Sequence, residues 1–335
     1  MDNVVNLICM LRIFTWHIHG TYLYYLSLGE YEIYIPVKED KEEGYYGRGE
    51  TFPFGKNVIE IPVKEVKNYE FDCILFQTNK NYLKDQYEIL TEEQRKLPRI
   101  YLEHDPPTKD PTVQLHIMRD PEVLTVHVTY FNKLMWNNDG CEVKVIEHGA
   151  PDKKIKYTGT IEKGIVVINH LHQRGRKTGA DIFKKASGHI PLDLIGMGTF
   201  EYGGLGEVLH PQMASFISQY RFFFNPIRYT SFGLAVCEAM MVGMPVVALA
   251  TTEYSAVISN GVSGIIHTDV DYLIEKMNLL LQNKALAVSL GEKGRRVARK
   301  KFDIERFTNE WKLTFEMVIN KTKKITNDKK ENSVC

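Results

Sequence analysis

Short apolar runs alternate with amphipathic stretches along most of the chain, and this pattern predicts alternating strands and helices. Apolar runs of about four to eight residues between turn-forming residues are typical of buried parallel strands. In the first half, the predicted strands are 11–18, 57–63, 73–78, 99–103 and 124–129, and the predicted helices are 21–27 and 81–96. The first half is therefore predicted to be an α/β domain.

Residues 222–250 form the clearest unit of the second half. An aromatic strand comes first and stops at Pro226, which has no backbone N–H to donate. A helix is predicted to follow Thr230 and Ser231, either of which can cap it, and to end at Gly243. Another apolar strand comes next, so the segment predicts one βαβ unit whose loop opens at the carboxyl edge of a parallel sheet. Ligands of open α/β sheets bind at that edge.

The start of this helix is suited to an anionic ligand. Gly233 lets the backbone approach a ligand closely, and helix N–H groups near Ser231 favour a phosphate. Glu238 lies seven residues after Ser231 and is predicted to share its helical face, where a carboxylate can accept the hydroxyls of a ribose. These features fit a nucleotide. The alternative is that Glu238 is a solvated helix residue and Gly233 only a tight turn.

The same residues resemble the signature of the retaining family 4 glycosyltransferases of the GT-B fold, the glycosyl transferases group 1. The shared positions are Ser231-Phe232-Gly233-Leu234, Glu238-Ala239-Met240, Gly243 and Pro245-Val246-Val247. Downstream, 260–266 resembles the family's Asn-Gly-x-x-Gly turn, and upstream 145–150 resembles the segment that leads out of its N-terminal domain. The resemblance therefore spans both halves of the chain.

This resemblance implies two Rossmann-like domains that face each other across a cleft. We expect an N-terminal acceptor-side domain at 1–155 and a C-terminal nucleotide-sugar-binding domain at 156–321, with the polar stretch 151–164 as the linker and Ile165 in the first C-terminal strand. The tail 322–335 is dense in Lys and Asn and is expected to be disordered. Residues 38–54, rich in charge, Gly and Tyr, are expected to form a surface loop.

The implied activity is transfer of a sugar from a nucleoside-diphosphate sugar to an acceptor hydroxyl on a glycan, lipid-linked or other molecule, with retention of the anomeric configuration. The expected donor contacts are Gly20, Arg174, Arg176, Lys177, Ser231, Phe232, Gly233, Leu234 and Glu238, and the expected catalytic residues are His104, Thr230 and Glu238. Helix N–H groups with Arg176 and Lys177 would stabilise the leaving diphosphate, so that no metal ion and no cofactor is required.

The chain departs from the family pattern at two places. Thr230 stands where the family has the glutamate that contacts the donor sugar, and a hydroxyl can hydrogen-bond a sugar but carries no charge. His170 stands where the family has a phosphate-binding arginine, whereas Arg174, Arg176 and Lys177 crowd the loop before Gly179. Positive charge is available, but its position along the chain has shifted.

The N-terminal half supplies histidines where two predicted strands end. His17 and His19 precede Gly20, which permits close approach of a ligand to a predicted helix start, but two imidazoles without a third ligand make a poor metal site. His104 follows another strand and is held by two prolines, Pro106 and Pro107. It resembles the family's histidine beside the transferred sugar. The alternative for each histidine is an ordinary hydrogen-bonded polar residue.

Composition narrows the class of protein. The chain has 335 residues, with 42 Lys and Arg against 42 Asp and Glu, so its net charge of zero favours neither nucleic acid nor an anionic membrane as a partner. Five scattered cysteines predict neither a disulfide framework nor a zinc site. The N-terminus lacks the features of a signal peptide, and we expect a cytoplasmic protein with at most peripheral membrane association.

Two other functions remain open at this stage. A pseudo-enzyme could retain nucleotide-sugar binding without transfer, which the threonine at position 230 and the displaced basic loop would explain. A sugar-nucleotide epimerase of the same fold is the second alternative. An assay of transfer with analysis of product mass separates these possibilities.

Overall fold

The computed structural model describes residues 10–332, and it contains two parallel β-sheets. The N-terminal strands are β1 (Arg12–Thr15), β2 (Glu32–Val37), β3 (Val58–Pro62), β4 (Cys73–Phe76), β5 (Arg99–Glu103), β6 (Val123–His127) and β7 (Val143–Val145). They form one seven-stranded sheet in the order β3-β2-β1-β4-β5-β6-β7. The C-terminal strands are β8 (Ile161–Val167), β9 (Leu192–Ile195), β10 (Tyr220–Asn225), β11 (Val246–Leu249) and β12 (Ile265–His267). Their order is β12-β11-β10-β8-β9.

Helices connect these strands. Those before the linker are α1 (Gly20–Leu26), α2 (Gln86–Ile89), α3 (Glu92–Arg95) and α4 (Tyr130–Met135). Those after it are α5 (Leu171–Arg174), α6 (Ala180–Ser187), α7 (His210–Ile217), α8 (Leu234–Val242), α9 (Tyr254–Val257), α10 (Val270–Gln282), α11 (Lys284–Lys301) and α12 (Ile304–Asn332). A π-helical turn precedes α2, and a 3₁₀ turn at 175–178 precedes α6. The α/β class and the two-sheet GT-B architecture expected from the sequence are confirmed.

Each sheet has one point at which the strand order reverses. In the N-terminal sheet this switch lies between β1 and β4, and in the C-terminal sheet between β8 and β10. Loops after the carboxyl ends of such strands leave a crevice because they run to opposite faces of the sheet. The loops after β1, β4, β8 and β10 are therefore the places where the fold can hold a ligand.

Most of the predicted strands and helices form within a few residues of the expected bounds, but two strands escape the pattern. β2 was not predicted; it contains Pro36, a residue that disfavours central strands, but Pro36 pairs with Ile61 beyond the last residue that pairs with β1. β7 has only three residues at the edge of the sheet. β8 begins at Ile161 and not at Ile165, so the linker is shorter than 151–164.

The last helix crosses back to the N-terminal domain. In α12, Trp311 Nε1 donates to Tyr22 Oη at 3.0 Å, and the Phe315 ring packs against Tyr31. By contact, α12 therefore belongs with the N-terminal domain, although residues up to 321 were assigned to the C-terminal one. The helix continues through Asn332 and so includes residues 322–332, for which the sequence predicted a disordered tail. Once a helix is nucleated by packed residues, each further residue adds a hydrogen bond at little cost.

The loop at 38–54 lacks regular structure, as predicted, but it does not lie loosely on the surface. Tyr45 is fully buried, and Lys38 and Lys80 approach its ring. Phe52 and Phe54 pack against Tyr24 of α1. The aromatic side chains hold this loop against the first helix, close to the cleft. Of the five cysteines, Cys73, Cys141 and Cys237 are free thiols, and Cys9 and Cys335 lie outside the described residues.

Candidate active site in the interdomain cleft

A direct contact joins the loop at the C-terminal switch point to the carboxyl edge of the N-terminal sheet. Ser231 Oγ, in the loop after β10, donates a hydrogen bond of 2.7 Å to the backbone oxygen of His104, which follows β5. Asn132 Nδ2 of α4 donates to the same oxygen at 3.1 Å. The tertiary structure thus brings together the predicted donor loop and the predicted N-terminal catalytic residue, which are separated by 127 positions in the chain.

A buried glutamine determines which ring nitrogen of His104 carries the proton. Gln77 Nε2 donates to Thr15 Oγ1 and to the Trp16 carbonyl, both at 3.0 Å. Gln77 Oε1 is therefore turned toward His104 Nε2, 3.2 Å away, and accepts its hydrogen bond. In a neutral imidazole this leaves Nδ1 as an acceptor. Nδ1 of His104 can then accept a hydrogen bond from a substrate hydroxyl.

The imidazoles on this side of the cleft are uncharged at neutral pH. Burial, with smaller contributions from His19 and His148, holds the pKa of His104 well below its usual value. Burial also lowers the pKa of His148 to about 4, against an opposing hydrogen bond to the Phe232 backbone. The pKa of His19 is lowered for the same reason, and its ring centroid lies 3.9 Å from that of His104. The N-terminal wall offers neutral hydrogen-bonding groups.

The space beside Gly20 is already filled. A Cβ at Gly20 would lie 2.3 Å from the Phe52 ring, so the glycine accommodates the 38–54 loop and not an open ligand space. His17 is buried and its Nδ1 is 2.5 Å from the Gly47 carbonyl, which makes it a hydrogen-bonded residue of that same loop. Our expectation that Gly20 contacts the donor has no support from this packing.

The start of α8 is open. The helix begins at Leu234 with Gly233 as its N-cap, and a Cβ added to Gly233 would have no neighbouring atom within 4 Å. The first intrahelical bonds come from the N–H groups of Val236 and Cys237, so those of Leu234 and Ala235 are available to a ligand. Neither Thr230 nor Ser231 caps the helix, because the helix begins only after Gly233 and the Ser231 hydroxyl bonds to the other domain.

The buried side chain of Phe232 anchors the loop that follows β10. Its ring is buried between Tyr254, at 4.8 Å, and Phe302, at 5.3 Å between centroids. Tyr254 in turn accepts a hydrogen bond from Asn225 at the end of β10. The side chain of Phe232 therefore fixes the loop backbone, and Thr230 and Leu234, both half-buried, lie on either side of it.

The basic loop lies directly beside the donor loop. Arg228 N and Tyr229 N both donate to the Lys177 carbonyl, at 3.0 and 3.3 Å. Gly179, with φ of +82°, comes so close to Pro226 that a Cβ would be 2.1 Å from its carbonyl oxygen. Only glycine permits this approach, which brings the 174–178 segment to the start of the 226–233 loop.

An acidic residue organises the arginines here. Arg228 forms two hydrogen bonds with Asp181, of 2.6 and 2.7 Å, and Arg176 forms one of 2.7 Å. The bonds from Arg228 hold the pKa of the Asp181 carboxyl below its usual value. Two guanidinium groups share one carboxylate, so the cluster keeps net positive charge. Lys177 adds another, and no partner for its ammonium group is found among the described residues.

Glu238 is placed differently from our expectation. Because α8 begins at Leu234, Ser231 is not on the helix, and Glu238 does not share a helical face with it. Its Oε1 accepts a hydrogen bond of 2.5 Å from Tyr25 Oη of α1, and His210 Nε2 of α7 lies 3.5 Å from the same oxygen. His210 Nε2 is also 3.1 Å from Tyr25 Oη. The carboxylate therefore already has one partner from the facing domain, Tyr25, and one from its own domain, His210.

A small cavity adjoins this triad. It is lined by Tyr25, His210 and Glu238 together with linker residues that include Asp152 and Lys153. Its volume is about 20 Å³. That is room for about one water molecule and not for a nucleoside.

Within residues 10–332, no group of three or more His, Cys, Asp or Glu side chains is arranged to hold a metal ion. In that same part of the chain, no helix combines the length and apolar character that a bilayer span requires.

Two facing parallel-sheet domains with their switch-point loops on one cleft define the GT-B class of fold. Residues 203–283 match the family model of glycosyl transferases group 1, which confirms the resemblance found in the sequence. A search of curated proteins finds no match.

Solved structures agree on the fold. HepE of Anabaena in complex with UDP and glucose superimposes with a TM-score of 0.69 at 15% identity, over 92% of this chain and 100% of HepE. Sucrose-phosphate synthase of Thermosynechococcus elongatus gives 0.68 at 14% identity, over 92% and 99%. TarM of S. aureus, in a complex with Fondaparinux, alpha-GlcNAc-glycerol and UDP, gives 0.60 at 14% identity, over 76% of this chain and 58% of TarM.

Sequence reasoning missed three residues of this region. Arg228 lies two residues after Pro226, so its place at the carboxyl edge was a usable signal. Tyr25 and His210 gave no signal, because Tyr25 reaches Glu238 only when the two domains meet, and His210 reaches it only when α7 packs beside α8.

Proposed function

We propose that this protein is a glycosyltransferase that moves a sugar from a nucleoside-diphosphate sugar to an acceptor hydroxyl in the synthesis of a glycan or polysaccharide, in the cytoplasm. The observation that carries this proposal is the contact between Ser231 and His104. It joins a loop with the family signature, at an open helix start, to a neutral imidazole of the opposite domain. The match of residues 203–283 supports the same activity.

The donor's diphosphate is proposed to lie at the start of α8. Bond cleavage at the anomeric carbon transfers negative charge to the departing diphosphate. The N–H groups of Leu234 and Ala235, with Lys177 and the Arg176 and Arg228 pair, are positioned to stabilise that charge. Electrostatic stabilisation by preorganised hydrogen-bond donors of this kind is usually the largest single contribution to an enzyme's rate enhancement.

The acceptor and the transferred sugar are proposed to lie against the N-terminal wall. His104, with its proton on Nε2, presents Nδ1 as a hydrogen-bond acceptor, and Thr230 offers a hydroxyl from the opposite side. An uncharged wall suits a sugar, which has many hydroxyls and no charge of its own. We propose His104 as a residue that contacts the transferred sugar.

Two properties of the reaction complete the proposal. Transfer is expected to proceed without a divalent metal, because the helix start and the basic loop supply the positive charge, and to retain the donor's anomeric configuration, as the family resemblance implies. The test is NMR analysis of product anomericity from a chelator-treated reaction. A β-linked product from an α-linked donor, or activity that returns only with added Mg²⁺ or Mn²⁺, would contradict the mechanism.

A second function, nucleotide-sugar binding without transfer, is favoured by one observation. The usual sugar-binding carboxylate is replaced by Thr230, and Glu238 is already partnered by Tyr25. A protein with this function would bind a nucleoside diphosphate in calorimetry and yet form no product with any acceptor.

A further inference from the structure

The nucleoside end of the cleft is closed by a residue of the opposite domain. Tyr25 is almost fully buried and its hydroxyl donates to Glu238 Oε1 at 2.5 Å. Glu238 is the residue that the sequence predicts to bind the ribose of the donor. A phenol that donates to one carboxylate oxygen makes the same type of hydrogen bond that a ribose hydroxyl would make.

The residues around Glu238 leave no room for both the Tyr25 side chain and a ribose. His210, whose side chain is 8% exposed, packs against the Tyr24 ring at 5.3 Å and the Phe52 ring at 5.1 Å. The cavity beside Glu238 holds about 20 Å³. Ligand pockets for small molecules are typically about 300–1,000 Å³. A nucleoside can reach Glu238 only if α1 withdraws from it.

We infer that Tyr25 is a latch: it occupies the ribose position of Glu238 when no donor is bound, holds the two domains closed there, and is displaced by a nucleoside diphosphate. This inference rests on the proposed function for the identity of the displacing ligand. Burial keeps the pKa of the Tyr25 phenol well above its usual value, so it remains a hydrogen-bond donor throughout the working pH range.

The latch has a measurable consequence. A ligand that binds only the open form shows an affinity reduced by the fraction of molecules that are open. Removing the phenol oxygen removes the competing hydrogen bond and raises that fraction. Tyr25→Phe is therefore expected to bind a nucleoside diphosphate about three- to tenfold more tightly than the wild type.

The experiment is titration calorimetry of the full chain with the uridine, guanosine, adenosine, cytidine and thymidine diphosphates, one at a time. Tyr24→Phe is the matched control, because it removes a hydroxyl from the adjacent position of α1 and leaves the bond to Glu238 in place. Tighter binding by Tyr25→Phe, without tighter binding by Tyr24→Phe, supports the latch. Equal or weaker binding overturns it, since a tyrosine that itself contacts the nucleoside would lose affinity on substitution.

Small-angle scattering of the ligand-free proteins separates failure of the latch from failure of the proposed function. If no nucleoside diphosphate binds either protein, the proposed function fails, and the radius of gyration decides the latch: a larger value for Tyr25→Phe than for Tyr24→Phe supports it, and equal values overturn it. If Tyr25→Phe does not fold, hydrogen exchange of the wild type replaces it. The amides of α1 are then expected to exchange faster with bound ligand, and unchanged or slower exchange overturns the inference.

Discussion

The two ends of the candidate donor site differ in how ready they are for a ligand. At the phosphate end, Gly233 has open space above it and the Arg176 side chain is 76% exposed. At the nucleoside end, Glu238 is 15% exposed and bonded to Tyr25. The first end is built from loops of one domain, and the second from a helix of each domain. In the proposed site, phosphate recognition would therefore be local to the C-terminal domain, whereas nucleoside recognition would depend on how the domains are placed.

The two ends should also respond differently to mutation. A change at the nucleoside end acts on any ligand that contains ribose, while a change at the phosphate end acts only on ligands with a diphosphate. Comparing a nucleoside with its diphosphate therefore shows at which end a residue acts.

The largest effect is expected for Glu238→Ala. Loss of a charged hydrogen-bond acceptor typically costs about 1.5–3 kcal/mol, which corresponds to roughly a ten- to hundredfold loss of affinity. Both the nucleoside and its diphosphate should weaken by the same factor, as measured by calorimetry. Glu201→Ala is the control, since its carboxylate and its partner His172 of α5 are both exposed. Unchanged affinity of Glu238→Ala for both ligands would show that Glu238 is not part of the site. The proposed difference between the phosphate end and the nucleoside end would then no longer hold.

A smaller effect is expected for the double variant Arg176→Ala with Lys177→Ala. Removing two cations should weaken a nucleoside diphosphate by about tenfold, leave the nucleoside unaffected, and reduce the salt dependence of binding. Lys184→Ala with Lys185→Ala removes the same charge from α6 and serves as the control. An equal loss of affinity for the nucleoside and for its diphosphate would show that the basic loop has only a structural role.

The smallest effect is expected at Asp152, in the linker behind the closed end. Burial alone would raise the pKa of this carboxyl, but bonds from Arg299, the Lys154 backbone and Arg295 hold it at about 2. A carboxyl with a depressed pKa stabilises the folded state above its unfolded pKa of about 4, and this contribution is lost as the pH falls toward 2. Asp152→Asn should reduce the free energy of unfolding by about 1 kcal/mol at pH 7, after allowance for solvent screening.

Urea unfolding at several pH values measures this difference. The gap between wild type and Asp152→Asn should be constant above pH 4 and narrow below it, while Lys156→Gln, an exposed charge change in the same linker, should show no such dependence. A gap that is independent of pH down to 2 would mean that the carboxylate's charge is not what stabilises the linker.

Local patterns were enough for much of the fold. The aromatic run before Pro226, the glycine at 243 and the apolar run after it were sufficient to predict β10, α8 and β11, because strand burial, helix termination and the φ preference of glycine are properties of short segments. The edge strand β7 and the proline-containing β2 were missed because their signals are short or contradictory. The tail was predicted to be disordered from its composition, and composition carries no information about the packing of α12 on the N-terminal domain.

The class of the fold, the signature loop at 230–234 and the supply of basic residues beside it could all be predicted from the sequence, since each depends on residues close together in the chain. The contacts of those residues could not be predicted and follow from the folded structure. It joined Ser231 to His104, placed Phe52 in the space beside Gly20, paired Asp181 with Arg228, and put Tyr25 on Glu238. Hydrogen bonds and packing act over a few ångströms in space, and residues far apart in the chain reach that range only after each sheet has formed; the contacts of Ser231 and Tyr25 also require that the two domains meet.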